Sequence, residues 1–279
     1  MAAPVVKKPP QATSEALAER NARLIETTLP LSLQQKMGMY WQSFKYELGY
    51  ILQEYNTTPA DIKKYLEDNG PRIERAIGTI NEKFRDRNQE KLNYIVTSLF
   101  VSAHLHGLEP SLLLALCDQE SDFDFKSGAG GVGILQLTSR SAIMELMHPD
   151  QDYRERKREQ LQEQLERFGG QEFVGVVRAP RVQRTDGRIT VDRQDMEYLY
   201  HKRALYNAVW AARTFLLKGV DRNRYTERSE LRDIERLRQL FEDYNGSSNK
   251  VQYATDVLAL YAYYSGEIDR RRLDVIPKK

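Results

Sequence analysis

The sequence predicts a mainly α-helical protein that carries one small β-hairpin. Apolar residues recur at helical spacing along most of the chain. Proline and glycine stand where such patterns begin and stop, as Pro110 and Gly107 do. Only residues 173–191 depart from this, because two β-rich runs, Phe173–Val177 and Arg188–Val191, flank a Thr-Asp-Gly turn signal at 185–187.

The first third of the chain is predicted to be a disordered arm followed by a helical module. Residues 1–13 are rich in Pro, Lys and Ala, whereas residues 14–94 carry helical patterns. One apolar stripe in this module is interpreted as core, with an exposed docking surface as the alternative; it comprises Leu33, Met37, Trp41, Phe44, Leu48 and Leu52. Helices are predicted over 24–56 with a break near Pro30, over 59–69 after a cap at Thr58, over 71–85 and over 89–106.

Residues 95–279 are predicted to form a second domain with an insert at about 145–205. The helix after Pro110 runs to Glu120, and a charged helix over 152–168 is interpreted as a solvated face. The insert contains this helix and the hairpin, and its ribbon is predicted to cover a ligand. Further helices are predicted over 196–218, 228–244 and 250–264.

Composition excludes several kinds of chemistry. Lys and Arg number 42 against 40 Asp and Glu, so the net charge of +2 does not favour nucleic-acid binding. Cys117 is the single cysteine, and its Leu-rich surroundings indicate a buried, inert thiol. The four histidines lack a metal-ligand spacing, so no metal and no cofactor is expected. No apolar run approaches the ~18 residues of a membrane span, and no secretory signal is recognised.

Glu120 is the strongest candidate for a catalytic residue. It ends an apolar helix and precedes a glycine-rich loop, residues 127–136, whose backbone can approach a ligand closely. A carboxyl group that apolar neighbours shield from water keeps its proton near neutral pH and can act as a general acid.

Two separated motifs resemble the soluble lytic transglycosylases, lysozyme-like enzymes that cleave bacterial peptidoglycan. The first corresponds to the family's Glu-Ser-x-Phe and Ser-x-x-Gly-Ala-x-Gly-Leu-Met-Gln pattern, through Glu120, Ser121, Phe123, Ser127, Gly130, Gly131, Gly133, Ile134, Leu135 and Gln136. The second corresponds to Tyr-Asn-Ala-Gly-x-x-x-Val, through Tyr244, Asn245, Gly246, Ser247 and Val251, followed by Tyr253 and Val257. A third signature between them is approximated from Asn207 to Leu216.

The resemblance implies a lysozyme-like catalytic domain and a mechanism that needs one carboxyl group. Glu120 would protonate the oxygen between N-acetylmuramic acid and N-acetylglucosamine, then take the proton of the muramic C6 hydroxyl as a 1,6-anhydro ring closes. By position in the motifs, Ser127, Gln136, Tyr244 and Asn245 would bind the glycan, with the Tyr244 hydroxyl near Glu120. Three of these residues have an alternative interpretation: Tyr244 simply ends a helix, and Gln136 and Asn245 bond the backbone of their own loops.

Two other functions are compatible with these residues. A goose-type hydrolytic muramidase would need a second carboxylate, for which Asp118, Asp122 and Asp124 are the neighbours in sequence. A catalytically inactive structural or delivery protein of a virion or secretion apparatus is the other, because the segment between Phe123 and Ser127 is shorter than in the family. The favoured context is a phage-associated enzyme that is delivered to the bacterial periplasm, with the host cytoplasm before lysis as the alternative location. Virion or secretion-assembly proteins that bind the N-terminal module are the expected partners.

Overall fold

The computed structural model of the chain describes residues 13–127, 131–138, 141–185, 188–220, 234–245 and 249–266. Within these ranges the protein is mainly helical and carries two small antiparallel sheets, which confirms the predicted mainly α fold with a β-hairpin. In chain order the helices are α1 Ser14–Thr28, α2 Leu31–Met37, α3 Trp41–Ile51, α4 Pro59–Asp68, α5 Gly70–Lys83, α6 Gln89–His106, α7 Pro110–Ser121, α8 Ala142–Leu146, α9 Gln151–Phe168, α10 Arg193–Tyr200, α11 Ala204–Val220, α12 Ile234–Tyr244 and α13 Lys250–Ser265.

Local capping chemistry explains where several of these helices begin and end. Thr58 and Asp61 form a reciprocal capping box at the start of α4, each side chain accepting from the other's backbone N–H. Asn88 caps α6, and Gly107 ends it with a left-handed φ of 65°. Pro110 is the first residue of α7. An N–H at this position would have no partner within the helix, so proline is tolerated there. These boundaries agree with the predicted ones.

Helix α6 lies at the centre of the core. It is apolar around almost its whole circumference, and most of its side chains are buried. It packs against α11, α5, α2 and α7, so it joins the N-terminal helices to the C-terminal ones. The boundary predicted between residues 94 and 95 falls inside this helix.

The apolar stripe of the N-terminal module is core. Met37, Phe44 and Leu48 are fully buried, and Trp41 and Leu52 are nearly so. The alternative of an exposed docking stripe is therefore wrong for these five residues.

Two element predictions were wrong. The hairpin pairs β3 Val182–Thr185 with β4 Arg188–Val191, so its first strand is not 173–177. A two-residue loop fixes which residues pair, and the strand must end directly before it. Residues 173–177 bind Glu54 instead: Val174 N donates to its carbonyl oxygen at 2.9 Å and Val177 N to its carboxylate at 2.8 Å.

The single helix predicted over 196–218 is two helices, α10 and α11. Asp192 caps α10 through the Asp195 N–H, and the chain turns at 201–203. The new start at Ala204 is stable because the Ala204 N–H donates to the buried Tyr94 hydroxyl at 2.7 Å. The start of the helix predicted over 228–244 lies outside the described residues.

The segment predicted as an insert is packed into the body of the protein. Helix α9 contacts α8 and α11, and Phe173 forms a β-bridge with Tyr55 of the N-terminal region. Among the described helices, none combines the length and apolar character that crossing a membrane requires.

Candidate active site

Glu120 lies in the last turn of α7. The preceding turns are buried, whereas Glu120 itself is half-buried. The chain then leaves the helix through two consecutive left-handed residues, Asp122 with φ 53° and Phe123 with φ 56°. Phe123 is fully buried and pins this sharp turn to the core. The carboxyl group therefore stands at the edge of the core, on a rigid helix end.

Tyr253 is the direct partner of Glu120. It lies on α13, which packs along α7, and its hydroxyl donates a hydrogen bond to Glu120 Oε1. Burial raises the pKa of Tyr253 well above its usual range, and the charge of Glu120 adds to this effect. Tyr253 therefore remains protonated and acts as a hydrogen-bond donor to the carboxylate.

Tyr244 lies beside this pair. Burial, followed by the charge of Glu120, raises the pKa of Tyr244. Its hydroxyl, however, donates to the Leu135 carbonyl at 3.3 Å. The hydrogen bond to the acid belongs to Tyr253, which sequence analysis placed in the second motif without a site role.

Gln136 occupies the strained end of the glycine-rich loop. Its φ is 45°, and its amide nitrogen donates to the carbonyls of Gly133 at 2.6 Å and Lys126 at 3.1 Å. These bonds match the alternative interpretation, in which Gln136 bonds its own loop. Its side chain is half-exposed, so one surface still faces the solvent.

Asn207 on α11 holds the same loop from beneath. It is fully buried, accepts from the Leu135 N–H at 2.8 Å and donates to the Val132 carbonyl at 2.8 Å. Gly133 makes this approach possible, since a Cβ there would lie 2.2 Å from Asn207 Nδ2 and its φ is +81°. Asn207 was visible in the sequence only as the start of the weak third signature.

The backbones of Ser127 and Asn245 take part in regular structure, in a short sheet and at the end of α12. Ser127 pairs with Val132 in the short sheet formed by β1 Lys126–Ser127 and β2 Val132–Gly133. The Ser127 side chain lies outside the described part. The Asn245 N–H donates to the Phe241 carbonyl at 3.1 Å and so continues α12 by one bond.

The three neighbouring carboxylates are engaged elsewhere. Asp118 is buried and accepts from Lys83 and from the Tyr264 hydroxyl. Asp122 pairs with Lys126 at 3.0 Å. Burial alone would raise the pKa of Asp124, but its bonds to Lys91 and to the Phe125 N–H outweigh that effect and lower it.

Three basic residues of the N-terminal region bind the segment around Glu120. Lys83 binds the Asp118 carboxylate, Arg87 the Asp122 carbonyl and Lys91 the Asp124 carboxylate. We call Lys83, Arg87 and Lys91 the basic clamp. Phe84 supports it by packing on Phe123, with ring centroids 6.0 Å apart. The N-terminal helices thus contribute to the geometry of the candidate site.

Other reactive side chains of the described residues are structural. His106 is buried and bonded to the Tyr55 hydroxyl at 2.8 Å, and burial lowers its pKa to about 3. Burial raises the pKa of the Cys117 thiol, which disfavours a thiolate. The described part of the chain contains no group of three or more His, Cys, Asp or Glu side chains that could hold a metal ion.

Comparisons with protein-family models, with curated proteins and with solved structures found no match for this chain.

Proposed function

We propose that this protein is a peptidoglycan lytic transglycosylase that uses Glu120 as its acid and base. The observation that carries the proposal is the hydrogen bond from Tyr253 to Glu120 at the rigid end of a buried helix, beside a glycine-rich loop. This arrangement offers one carboxyl group that is accessible, held in place and supplied with a neutral donor.

The chemistry follows from these groups. Glu120 gives its proton to the glycosidic oxygen as the bond to the muramic C1 breaks, and positive charge develops at that carbon. The C6 hydroxyl then attacks C1 and returns its proton to Glu120, so no water is consumed and the acid is regenerated. Between these steps Glu120 is a carboxylate, which the hydrogen bond from Tyr253 stabilises.

The surroundings favour this mechanism over the goose-type hydrolase. Hydrolysis with inversion needs a second free carboxylate to activate water. Asp118, Asp122 and Asp124 are each bound to a lysine. A mechanism with one carboxyl group fits the described residues better.

Mass spectrometry of muropeptides after digestion of purified peptidoglycan tests the proposal. We expect products that end in 1,6-anhydro-muramic acid and that are absent with Glu120→Gln. Reducing-end products would support the hydrolase instead. A folded protein that yields no products would support the inactive structural alternative.

Delivery by a phage particle is a separate proposal, which rests on the sequence resemblance. It predicts that the chain is found by mass spectrometry in purified virions. Finding it only as free protein in lysates would favour an enzyme that acts at host lysis.

A further inference from the structure

A small cavity lies at the opposite end of α7 from Glu120. Helix α5, the first turn of α7 and the end of α13 enclose about 120 Å³. Because about 10–15 Å³ of such accessible space already holds one water molecule, the cavity has room for a carboxylate or phosphate group. Its polar lining includes Arg72, Arg75, Thr79 and Ser111, and its apolar lining includes Phe100 and Leu114.

Ser111 lines the cavity with a hydroxyl group that has no hydrogen-bond partner among the described residues. The residue as a whole is 3% exposed. The Ser111 oxygen is not among the buried side-chain oxygens that lack a partner, so the hydroxyl reaches the solvent of the cavity and can donate to a ligand oxygen there.

The first turn of α7 supplies further donors and a favourable field. Its N-cap residue, Glu109, makes no side-chain cap, and Pro110 has no N–H. The Ser111 N–H is therefore left at the positive end of the helix, where anions bind. The hydroxyl and the helix end thus favour the same kind of ligand.

Arginine side chains give the cavity a positive charge. Arg72, Arg75 and Thr79 recur at helical spacing on α5 and line the cavity together. Arg72 pairs with Glu109, which neutralises both. Arg75 has no ion pair with any described residue, so one positive charge remains uncompensated at the cavity.

We propose that this cavity binds a single oxyanion, a carboxylate or phosphate group, through Arg75, the Ser111 hydroxyl and N–H, and Thr79. The group can come from a free anion or from this chain itself. The cavity rim includes Gly266, and the sequence continues with Glu267, Asp269 and Asp274, which lie outside the described residues. The proposal is independent of the chemistry at Glu120.

Calorimetric titration of the full chain with inorganic phosphate tests the site. We expect saturable binding that Arg75→Gln weakens about tenfold or more and Ser111→Ala weakens severalfold. The matched control is Arg20→Gln, since Arg20 is also exposed on a helix and has no ion pair with a described residue. It should bind phosphate like the unmodified chain.

A variant in which the acidic residues after Gly266 are neutral, E267Q/D269N/D274N, distinguishes the two sources of the oxyanion. If the unmodified chain does not bind phosphate but this variant does, and Arg75→Gln removes that binding, the chain's own carboxylates fill the cavity. Phosphate binding that is equal with and without Arg75 would overturn the proposal. So would an absence of binding in both the unmodified chain and the triple variant.

Discussion

At the scale of single residues, Glu120 meets two requirements that usually conflict. An acid that touches its substrate must be accessible, yet it must also be fixed to within a fraction of an ångström. Burial of the preceding turns of α7 and of Phe123 fixes the backbone, and Tyr253 fixes the carboxyl group. The half-exposed side chain remains open to a ligand.

Replacing Glu120 with Gln should abolish turnover while the protein stays folded. The amide keeps the shape of the side chain but has no proton to transfer, and loss of a general acid costs at least ~100-fold in rate. Turnover on purified peptidoglycan measures the effect, with circular dichroism as the folding check. Asp122→Asn is the matched control, because Asn also tolerates the left-handed backbone there. Activity of the Glu120 variant equal to the unmodified protein would disprove the assignment.

Tyr253→Phe and Tyr244→Phe should have different effects on kcat. The first removes a hydrogen bond to a charged group, which is worth about 1.5–3 kcal/mol, or roughly 10- to 150-fold. The second removes a bond to the Leu135 carbonyl, worth about 0.5–1.5 kcal/mol. We expect Tyr253→Phe to lower kcat with little change in KM. If steady-state kinetics gave equal losses for both variants, Tyr253 would have no special role at the acid.

At the scale of elements, the basic clamp connects the N-terminal helices to the candidate site. Lys83→Met leaves the buried Asp118 carboxylate with Tyr264 as its neutral partner. Breaking a buried pair costs about 3–5 kcal/mol, but Lys83 is partly exposed, so we expect on the order of 2 kcal/mol in the free energy of unfolding.

Urea unfolding measures this loss. Lys64→Met is the control, because Lys64 forms a solvent-exposed pair with Asp68 on one helix, and it should leave the free energy of unfolding nearly unchanged. Equal midpoints and slopes for the two variants would show that the clamp adds nothing to stability.

Sequence patterns predicted those features that depend on local chemistry. Thr58, Gly107 and Pro110 act on the turn in which they stand, so the helix boundaries could be recognised without a fold. The bond from Tyr253 to Glu120 joins residues 133 positions apart, and the bond from Asn207 to Leu135 joins residues 72 apart. Only the packing of α13 on α7 and of α11 on the loop creates these contacts.

The misplaced first strand of the hairpin has the same cause. Residues 173–177 have the composition of a strand, but Glu54 supplies the acceptors for their N–H groups. The partner lies more than 120 positions away in sequence. No local pattern indicates that such a segment will pair with a carboxylate instead of a strand.

At the scale of the whole molecule, a buried carboxyl group makes stability depend on pH. Glu47 lies fully buried between α3, α6 and α11, where it accepts from the Tyr94 hydroxyl and the Tyr206 N–H. Burial raises the pKa of Glu47 from 4.5 to about 7. Folding therefore favours the protonated form, and the associated stability is present below pH 4.5 and is lost as pH rises to 7.

We expect Glu47→Gln to remove this pH dependence. One pKa unit corresponds to about 1.4 kcal/mol, so the free energy of unfolding of the unmodified protein should fall by on the order of 3 kcal/mol between pH 4.5 and 7.5 relative to the variant. Urea unfolding at several pH values gives the two slopes. The comparison uses the slopes of the free energy of unfolding against pH, because the substitution can also shift that free energy by the same amount at every pH. Parallel curves would contradict the prediction.

The shared core predicts that the N-terminal helices cannot be detached from the rest of the chain. Ile73, Ile77 and Ile80 of α5 are buried in the same core as α6, and the clamp residues Lys83 and Arg87 precede that helix. A fragment of residues 89–279 keeps α6 whole but exposes its apolar face to water. Exposed apolar surface costs about 25 cal/mol per Å². A typical domain has a free energy of unfolding of about 5–15 kcal/mol, so exposing more than a few hundred Å² is enough to unfold it.

We therefore expect this fragment to lack a cooperative urea transition and near-ultraviolet circular dichroism. The control is the chain 14–279, which keeps every described helix and should unfold like the full protein. Cooperative unfolding of 89–279 with full turnover would show instead that the N-terminal helices form a separable module, whose contacts to α6 and to the segment around Glu120 are dispensable.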